Sequence, residues 1–121
     1  MRKAVVLSLM LLTSASGSCN ELVVGDSHAG GIATYCKNAP PVLYKNGSTT
    51  RYWYSKRIPS VDHLYLVTGT NDGKKPDRVL QAAICKRYSK CTVVEIPNYP
   101  KYDGTHLYPS GYRKLCSNLF R

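Results

Sequence analysis

The stretch from Leu22 to Ile32, LVVGDSHAGGI, constrains the fold more than any other part of this 121-residue chain. Its apolar start predicts the end of a buried strand, and Gly25-Asp26-Ser27 predicts a sharp turn into a helix. Such a turn presents a side chain at the carboxyl edge of an open sheet, where α/β folds bind ligands. Ser27 then has two interpretations, a helix cap or a nucleophile whose own N–H stabilises an oxyanion.

Residues 1–18 have the layout of a secretory signal peptide. Arg2 and Lys3 precede a short apolar run at 4–12, and small polar residues follow. The run is shorter than the roughly 20 residues that a membrane-spanning helix needs. We therefore expect a single domain over residues 19–121 in a secreted or periplasmic protein.

Of the five cysteines, one lies directly after the leader and four lie within the expected domain. Cys19 directly follows the leader, an arrangement similar to a lipoprotein signal, although Ser16-Gly17-Ser18 lacks the aliphatic residue expected there. A lipid anchor at Cys19 is therefore one alternative. The other four cysteines can all pair with one another, and export permits disulfides. They are Cys36, Cys85, Cys91 and Cys116.

The chain is strongly basic, with a formal net charge of +10. Removal of Arg2 and Lys3 with the leader takes away two positive charges and leaves about +8. This charge favours anionic envelope surfaces, and the membrane itself only if Cys19 is lipidated. No nucleic-acid partner is expected, because no basic-aromatic recognition motif accompanies the charge. No metal is expected either, since His28 and His63 lack a second ligand at suitable spacing.

The rest of the chain alternates strands with helices, which predicts a parallel sheet covered on both faces. The third helix places Val79, Leu80, Ala83 and Ile84 on one face. We expect strands ending at 24 and at 42–44, 63–68 and 92–96, and helices at 29–35, 49–56, 77–88 and from 109 onwards.

Strand order bears on the disulfides. By analogy with doubly wound sheets we take the order 2-1-3-4, and right-handed crossovers then put the first and last helices on one face. Cys36 and Cys116 could therefore meet, while only a short loop separates Cys85 from Cys91. Four cysteines allow three pairings, so the sequence leaves the connectivity open.

Polar residues follow each predicted strand, at the edge where the carboxyl ends of parallel strands are neighbours. They are Ser27, Gly47, Asn71, and the pair Asp103 and His106. His106 could act as base for Ser27, and Asp103 could orient the imidazole. The Ser27 and Gly47 N–H groups and the Asn71 amide could donate to an oxyanion.

Four segments resemble the blocks of the SGNH (GDSL-type) hydrolases, in the family's order. They are Gly25-Asp26-Ser27, Gly47, the GTND at 69–72 and the DGTHLYPSGY at 103–112, of which the last is the most specific. His28 stands where GDSL enzymes usually carry leucine. The resulting GDSHA is more similar to SGNH domains linked to carbohydrate O-acetyl transfer.

The resemblance implies a three-layer, flavodoxin-like α/β/α sandwich with a small parallel sheet of about four strands. It implies a triad of Ser27, Asp103 and His106, an oxyanion hole of Ser27, Gly47 and Asn71, and no cofactor. Short connections leave a shallow site that suits a small acyl group or a bulky polymer.

Three functions are compatible with these residues. The first is an exported serine esterase or deacetylase that hydrolyses small acyl esters, O-acetyl above all, with an acylated glycan as one candidate substrate. The second is an O-acyltransferase that uses the same triad. The third is a non-catalytic module that binds anionic envelope polymers.

Overall fold

A four-stranded parallel sheet in the order β2-β1-β3-β4 organises the computed structural model, which describes residues 20–120. This confirms the predicted strand order. The predicted signal peptide and the alternative of lipidation at Cys19 lie outside the described residues. The strands are β1 (Glu21–Gly25), β2 (Val42–Tyr44), β3 (His63–Val67) and β4 (Cys91–Val93).

Four helices cover the two faces of this sheet. Helix α1 packs against α4 on one face, and α2 packs against α3 on the other. The predicted α/β architecture is therefore confirmed. None of the helices in residues 20–120 is both long enough and apolar enough to cross a membrane. The helices are α1 (Ser27–Tyr35), α2 (Thr50–Tyr54), α3 (Arg78–Cys85) and α4 (Pro109–Leu119).

The core lies on both sides of the sheet because successive strand residues point to opposite faces. Val23 and Tyr65 pack with α1 and α4, whereas Leu22 and Leu64 pack with Trp53 of α2 and the buried part of α3. Every residue of β3 is buried. Strands covered on both faces read as nearly continuous apolar runs, which is why β1 and β3 were recognisable in the sequence.

Several element boundaries differ from the prediction by one to three residues. Strand β4 begins at Cys91 and ends at Val93, so its paired length is three residues instead of five. Helix α3 begins at Arg78 because the Asp77 carboxylate accepts a hydrogen bond from the Leu80 N–H and so caps the helix.

The predicted inward face of α3 is wrong at Val79, which is 79% exposed. Gln81 is buried instead, and its side-chain amide donates to the Thr68 carbonyl and hydroxyl at the end of β3. A glutamine can be buried here because these bonds satisfy its amide. Apolar periodicity could not reveal this partner.

Two disulfides join the layers. Cys36 at the end of α1 is bonded to Cys116 of α4, and Cys85 at the end of α3 is bonded to Cys91 at the start of β4. Of the three pairings that the sequence left open, this is the one favoured by the strand order for Cys36 and Cys116 and by the short loop for Cys85 and Cys91. They indicate an oxidising compartment, and they suit a domain whose small core limits apolar burial.

Candidate active site

The turn after β1 brings Ser27 to the first position of α1. Gly25 ends the strand against the backbone of β3, where a Cβ atom would clash with the Val67 carbonyl oxygen. The Asp26 N–H donates to that carbonyl at 3.0 Å, and the Asp26 carboxylate accepts from the His28 N–H at 2.9 Å. Helix α1 therefore starts with Ser27 at the carboxyl edge of the sheet.

Ser27, His106 and Asp103 form a hydrogen-bonded line. The Ser27 Oγ lies 2.7 Å from His106 Nε2, and His106 Nδ1 lies 2.6 Å from Asp103 Oδ2. Since Asp103 accepts from Nδ1–H, His106 Nε2 is free to accept the serine proton. This geometry places a hydroxyl beside an imidazole that a carboxylate orients.

The Asp103 carboxylate is fixed by its own loop. Its Oδ1 accepts the backbone N–H of His106 at 2.6 Å and that of Thr105 at 2.9 Å. The hydrogen bonds from the His106 backbone and ring and from Thr105 hold the pKa of Asp103 far below its usual range. The carboxyl therefore stays ionised, as a partner of an imidazolium must.

The loop that carries His106 closes on itself. The Tyr102 N–H donates to the His106 carbonyl at 3.1 Å, and Lys101 forms an isolated antiparallel bridge with Leu107. The Leu107 side chain is fully buried in the core beside α1 and α4. The residue after the histidine thus anchors the loop to the same layer that carries Ser27.

Gly47 and Asn71 border the same cavity as Ser27 and His106. The volume of this cavity is about 590 Å³. Gly47 has a φ of 76°, a conformation that glycine adopts without strain in the turn after β2. The Asn71 side-chain amide donates to the Ser48 carbonyl at 3.0 Å. All the residues expected around the oxyanion therefore face one cavity.

Ser48 was not foreseen as a site residue, yet it ties these turns together. It is buried, its hydroxyl accepts the Trp53 indole N–H at 2.9 Å, and its carbonyl accepts the Asn71 amide. The Gly47 turn is thereby held to α2 and to the loop after β3. The only sequence signal was its position beside Gly47.

Asp72, the residue after Asn71, holds the loop between β3 and α3 in place. Its carboxylate accepts the Thr50 N–H at 2.8 Å, the Thr50 hydroxyl at 2.6 Å and the Asp77 N–H at 3.0 Å. Burial alone would raise the pKa of Asp72, but these hydrogen bonds outweigh it and the pKa is lowered. Asp72 thus supports the position of Asn71 without facing the cavity.

His28 lies behind the hydrogen-bonded line of Ser27, His106 and Asp103. It is 2% exposed, its Nδ1 lies 2.9 Å from the Tyr112 hydroxyl, and its ring centroid lies 5.5 Å from that of His106. Burial, with the charges of His106 and Lys101, lowers the pKa of His28 to about 4. Burial raises the pKa of Tyr112 to about 12, so both partners are neutral near pH 7.

Asp26 is a buried carboxyl at the same turn. It is 1% exposed, and its Oδ2 has no hydrogen-bond partner among the described residues. Burial raises the pKa of Asp26 to about 6.

Within residues 20–120, no cluster of three His, Cys, Asp or Glu side chains could hold a metal ion.

Three tyrosines form an exposed rim around the cavity. Tyr35 is 38% exposed, Tyr44 is 48% exposed and Tyr102 is 59% exposed. The Tyr102 ring stacks near His106 with centroids 6.1 Å apart. Apart from the count of ten tyrosines, no sequence pattern indicated this rim.

A comparison of the chain with protein-family models, with curated proteins and with solved structures finds no match in any of the three. The chemistry of this site is therefore inferred from its own residues.

Proposed function

We propose that the chain is an exported serine esterase of the SGNH type that removes small acyl groups, O-acetyl above all, from carbohydrate. The observation that carries this proposal is the hydrogen-bonded line of Ser27, His106 and Asp103. A hydroxyl within reach of an imidazole that a carboxylate orients is the arrangement that activates serine for acyl transfer.

The reaction has two halves. The Ser27 Oγ attacks the ester carbonyl carbon while His106 Nε2 takes its proton, and Asp103 stabilises the imidazolium. His106 then returns the proton to the departing alcohol, which leaves an acyl group on Ser27. In the second half His106 takes a proton from water, the resulting hydroxide attacks the acyl carbon, and the acid and free Ser27 are released.

Negative charge develops on the carbonyl oxygen in both halves. The Ser27 N–H at the start of α1, the Gly47 N–H and the Asn71 amide are the donors that border the cavity. One Asn71 Nδ2 hydrogen is engaged by the Ser48 carbonyl, which leaves the second for the oxyanion. That engagement also fixes the direction in which the amide points.

The cavity supports a substrate with a small acyl group and a larger alcohol part. Its volume of about 590 Å³ greatly exceeds that of an acetyl group, and its rim carries three exposed tyrosines. Aromatic side chains beside a few polar groups are typical of ligand pockets. An acetylated sugar therefore fits the site better than a long acyl chain.

The same space supports acyl transfer as a second candidate. A sugar hydroxyl beside His106 could take the place of water in the second half of the reaction. Acetate release measured with and without a glycan acceptor separates the two, because transfer consumes the acyl-enzyme without releasing acetate.

The first test is hydrolysis of 4-nitrophenyl acetate by the oxidised protein. We expect Ser27→Ala and His106→Ala to abolish the enzymatic rate, whereas Ser110→Ala, an exposed serine in the same DGTHLYPSGY segment, keeps it. An organophosphate should add to Ser27 in the parent protein and not in Ser27→Ala, as detected by peptide mass. Equal rates for the parent and a folded Ser27→Ala variant would contradict the proposal.

A further inference from the structure

A second groove adjoins the active-site cavity. This groove, which we call the side groove, has a volume of about 230 Å³. It is bordered by Tyr35, Lys37, Asn38, Arg113 and Phe120. We propose that the side groove binds an acidic group of the substrate polymer, so that the substrate is an O-acylated anionic polysaccharide. This inference rests on the proposed esterase function, and it names the substrate class of that same site.

The side groove is a neighbour of the active-site cavity, since Tyr35 borders both. The Tyr35 ring stacks on Tyr112 with centroids 6.0 Å apart and an interplanar angle of 15°. The disulfide between Cys36 and Cys116 borders the groove and joins its two walls. The width of the groove is therefore covalently constrained, and a polymer crossing Ser27 can pass over Tyr35 into it.

No carboxylate of residues 20–120 compensates the positive charge of the side groove. Lys37 and Arg113 are exposed, and neither forms an ion pair within that part of the chain. Among the lysines and arginines of residues 20–120, only Arg78 forms an ion pair. The acidic side chains are engaged elsewhere, at Glu21, Asp26, Asp62, Asp72, Asp77, Glu95 and Asp103.

This set of groups matches the chemistry of an acidic sugar. The Arg113 guanidinium and the Lys37 ammonium both bind carboxylates, the arginine in a bidentate manner. The Asn38 amide can exchange hydrogen bonds with hydroxyls, and Tyr35 and Phe120 offer apolar surface to a sugar ring. A neutral polymer would leave both cations without a partner, so a polyuronate fits the groove best.

The test compares three substrates by acetate release at low ionic strength. They are acetylated polygalacturonate, the same polymer after reduction of its carboxyl groups, and 4-nitrophenyl acetate. The double variant Lys37→Gln/Arg113→Gln is compared with Lys86→Gln/Lys90→Gln, which we call the α3 variant. It removes the same charge from exposed positions between the end of α3 and the start of β4.

We expect the groove variant to lower kcat/KM on acetylated polygalacturonate about tenfold, by weakening two charge pairs. The carboxyl-reduced polymer and 4-nitrophenyl acetate should be hydrolysed at the parent rate, and the α3 variant should match the parent on all three. An equal loss in both variants would show general attraction only and would overturn the proposal, as would no loss in either.

A binding measurement separates this inference from the esterase proposal. Titration of unacetylated polygalacturonate into Ser27→Ala should give a dissociation constant about tenfold lower than titration into Ser27→Ala with Lys37→Gln/Arg113→Gln. Equal affinities would overturn the side groove even if the protein is an esterase. Conversely, an inactive parent protein with the expected difference in affinity would contradict only the esterase.

Discussion

The Nδ1 atom of His28 lies 2.9 Å from the Tyr112 hydroxyl, although 84 residues separate them. This contact joins α1, which begins with Ser27, to α4. Leu107, the residue that follows His106, lies with Tyr112 in the same buried cluster. Tyr112 thus connects the elements that carry the proposed nucleophile and base.

Replacing Tyr112 with phenylalanine should therefore affect both stability and turnover. The buried His28 Nδ1 loses its partner, which should lower the free energy of unfolding by about 1–3 kcal/mol. We also expect a lower kcat on 4-nitrophenyl acetate, because His28, whose ring centroid lies 5.5 Å from that of His106, is less firmly held. Urea unfolding and steady-state kinetics measure these effects. Tyr54→Phe, at an exposed tyrosine on the other face of the sheet, is the control and should change neither.

Asn71→Ala should slow the chemical step if its amide donates to the oxyanion. The expected loss is about 2.7–4 kcal/mol of transition-state stabilisation, seen in kcat with little change in KM. Asn46→Ala, which alters another asparagine bordering the same cavity, should stay near the parent rate. A fully active Asn71→Ala enzyme would remove Asn71 from the oxyanion hole.

Asp103→Asn should leave the fold intact and lower kcat by about 10⁴-fold. The asparagine carbonyl can still accept the His106 N–H, but its amide would face Nδ1 and favour the tautomer with a proton on Nε2. His106 could then no longer accept the Ser27 proton. The measurement is 4-nitrophenyl acetate turnover, with Glu95→Gln as an exposed control; a loss below tenfold would contradict the assigned role.

Asp26 and His28 should have opposite effects on stability between about pH 4 and pH 6.5. The pKa of Asp26 is raised to about 6, so the folded protein keeps a proton that the unfolded chain releases, and stability falls as pH rises. The pKa of His28 is lowered to about 4, so the folded protein excludes a proton that the unfolded chain binds, and stability rises with pH.

Removing the Asp26 carboxyl should expose the effect of His28. Asp26→Asn should lose stability more steeply than the parent when pH falls from 6.5 to 4, with a difference of about 2 kcal/mol over that range. Urea unfolding at several pH values measures the two slopes, and Asp62→Asn, at an exposed carboxyl, serves as control. Parallel slopes for Asp26→Asn and the parent would contradict the raised pKa.

The two disulfides should contribute unequally to stability. The cystine of Cys36 and Cys116 spans 80 residues, and that of Cys85 and Cys91 spans 6. Chain-entropy arguments give about 4 kcal/mol for the first and about 2 kcal/mol for the second. Paired Cys→Ser variants compared by urea unfolding measure both, and a larger loss from the shorter loop would contradict the argument.

The sequence by itself determined the architecture of the domain. The apolar runs of β1 and β3 and the glycine turn before Ser27 are local signals, and analogy with doubly wound sheets supplied the strand order. Crossover handedness then favoured one cystine and a short loop the other, but the sequence left the pairing open. Local signals failed where burial depends on a partner far along the chain. Val79 was expected inside on apolar spacing, whereas Gln81 is buried because the end of β3 offers it two oxygen acceptors.

Only the tertiary structure decided how the site is held and what surrounds it. The residues Ser27, Gly47, Asn71, Asp103 and His106 could be named from the sequence because each follows a predicted strand or matches a family block. The contacts of Ser48 and Tyr112 and the side groove between α1 and α4 could not be named. They arise from side chains of separate elements that meet only after the sheet is assembled, and nothing in their local sequence records the distance between them.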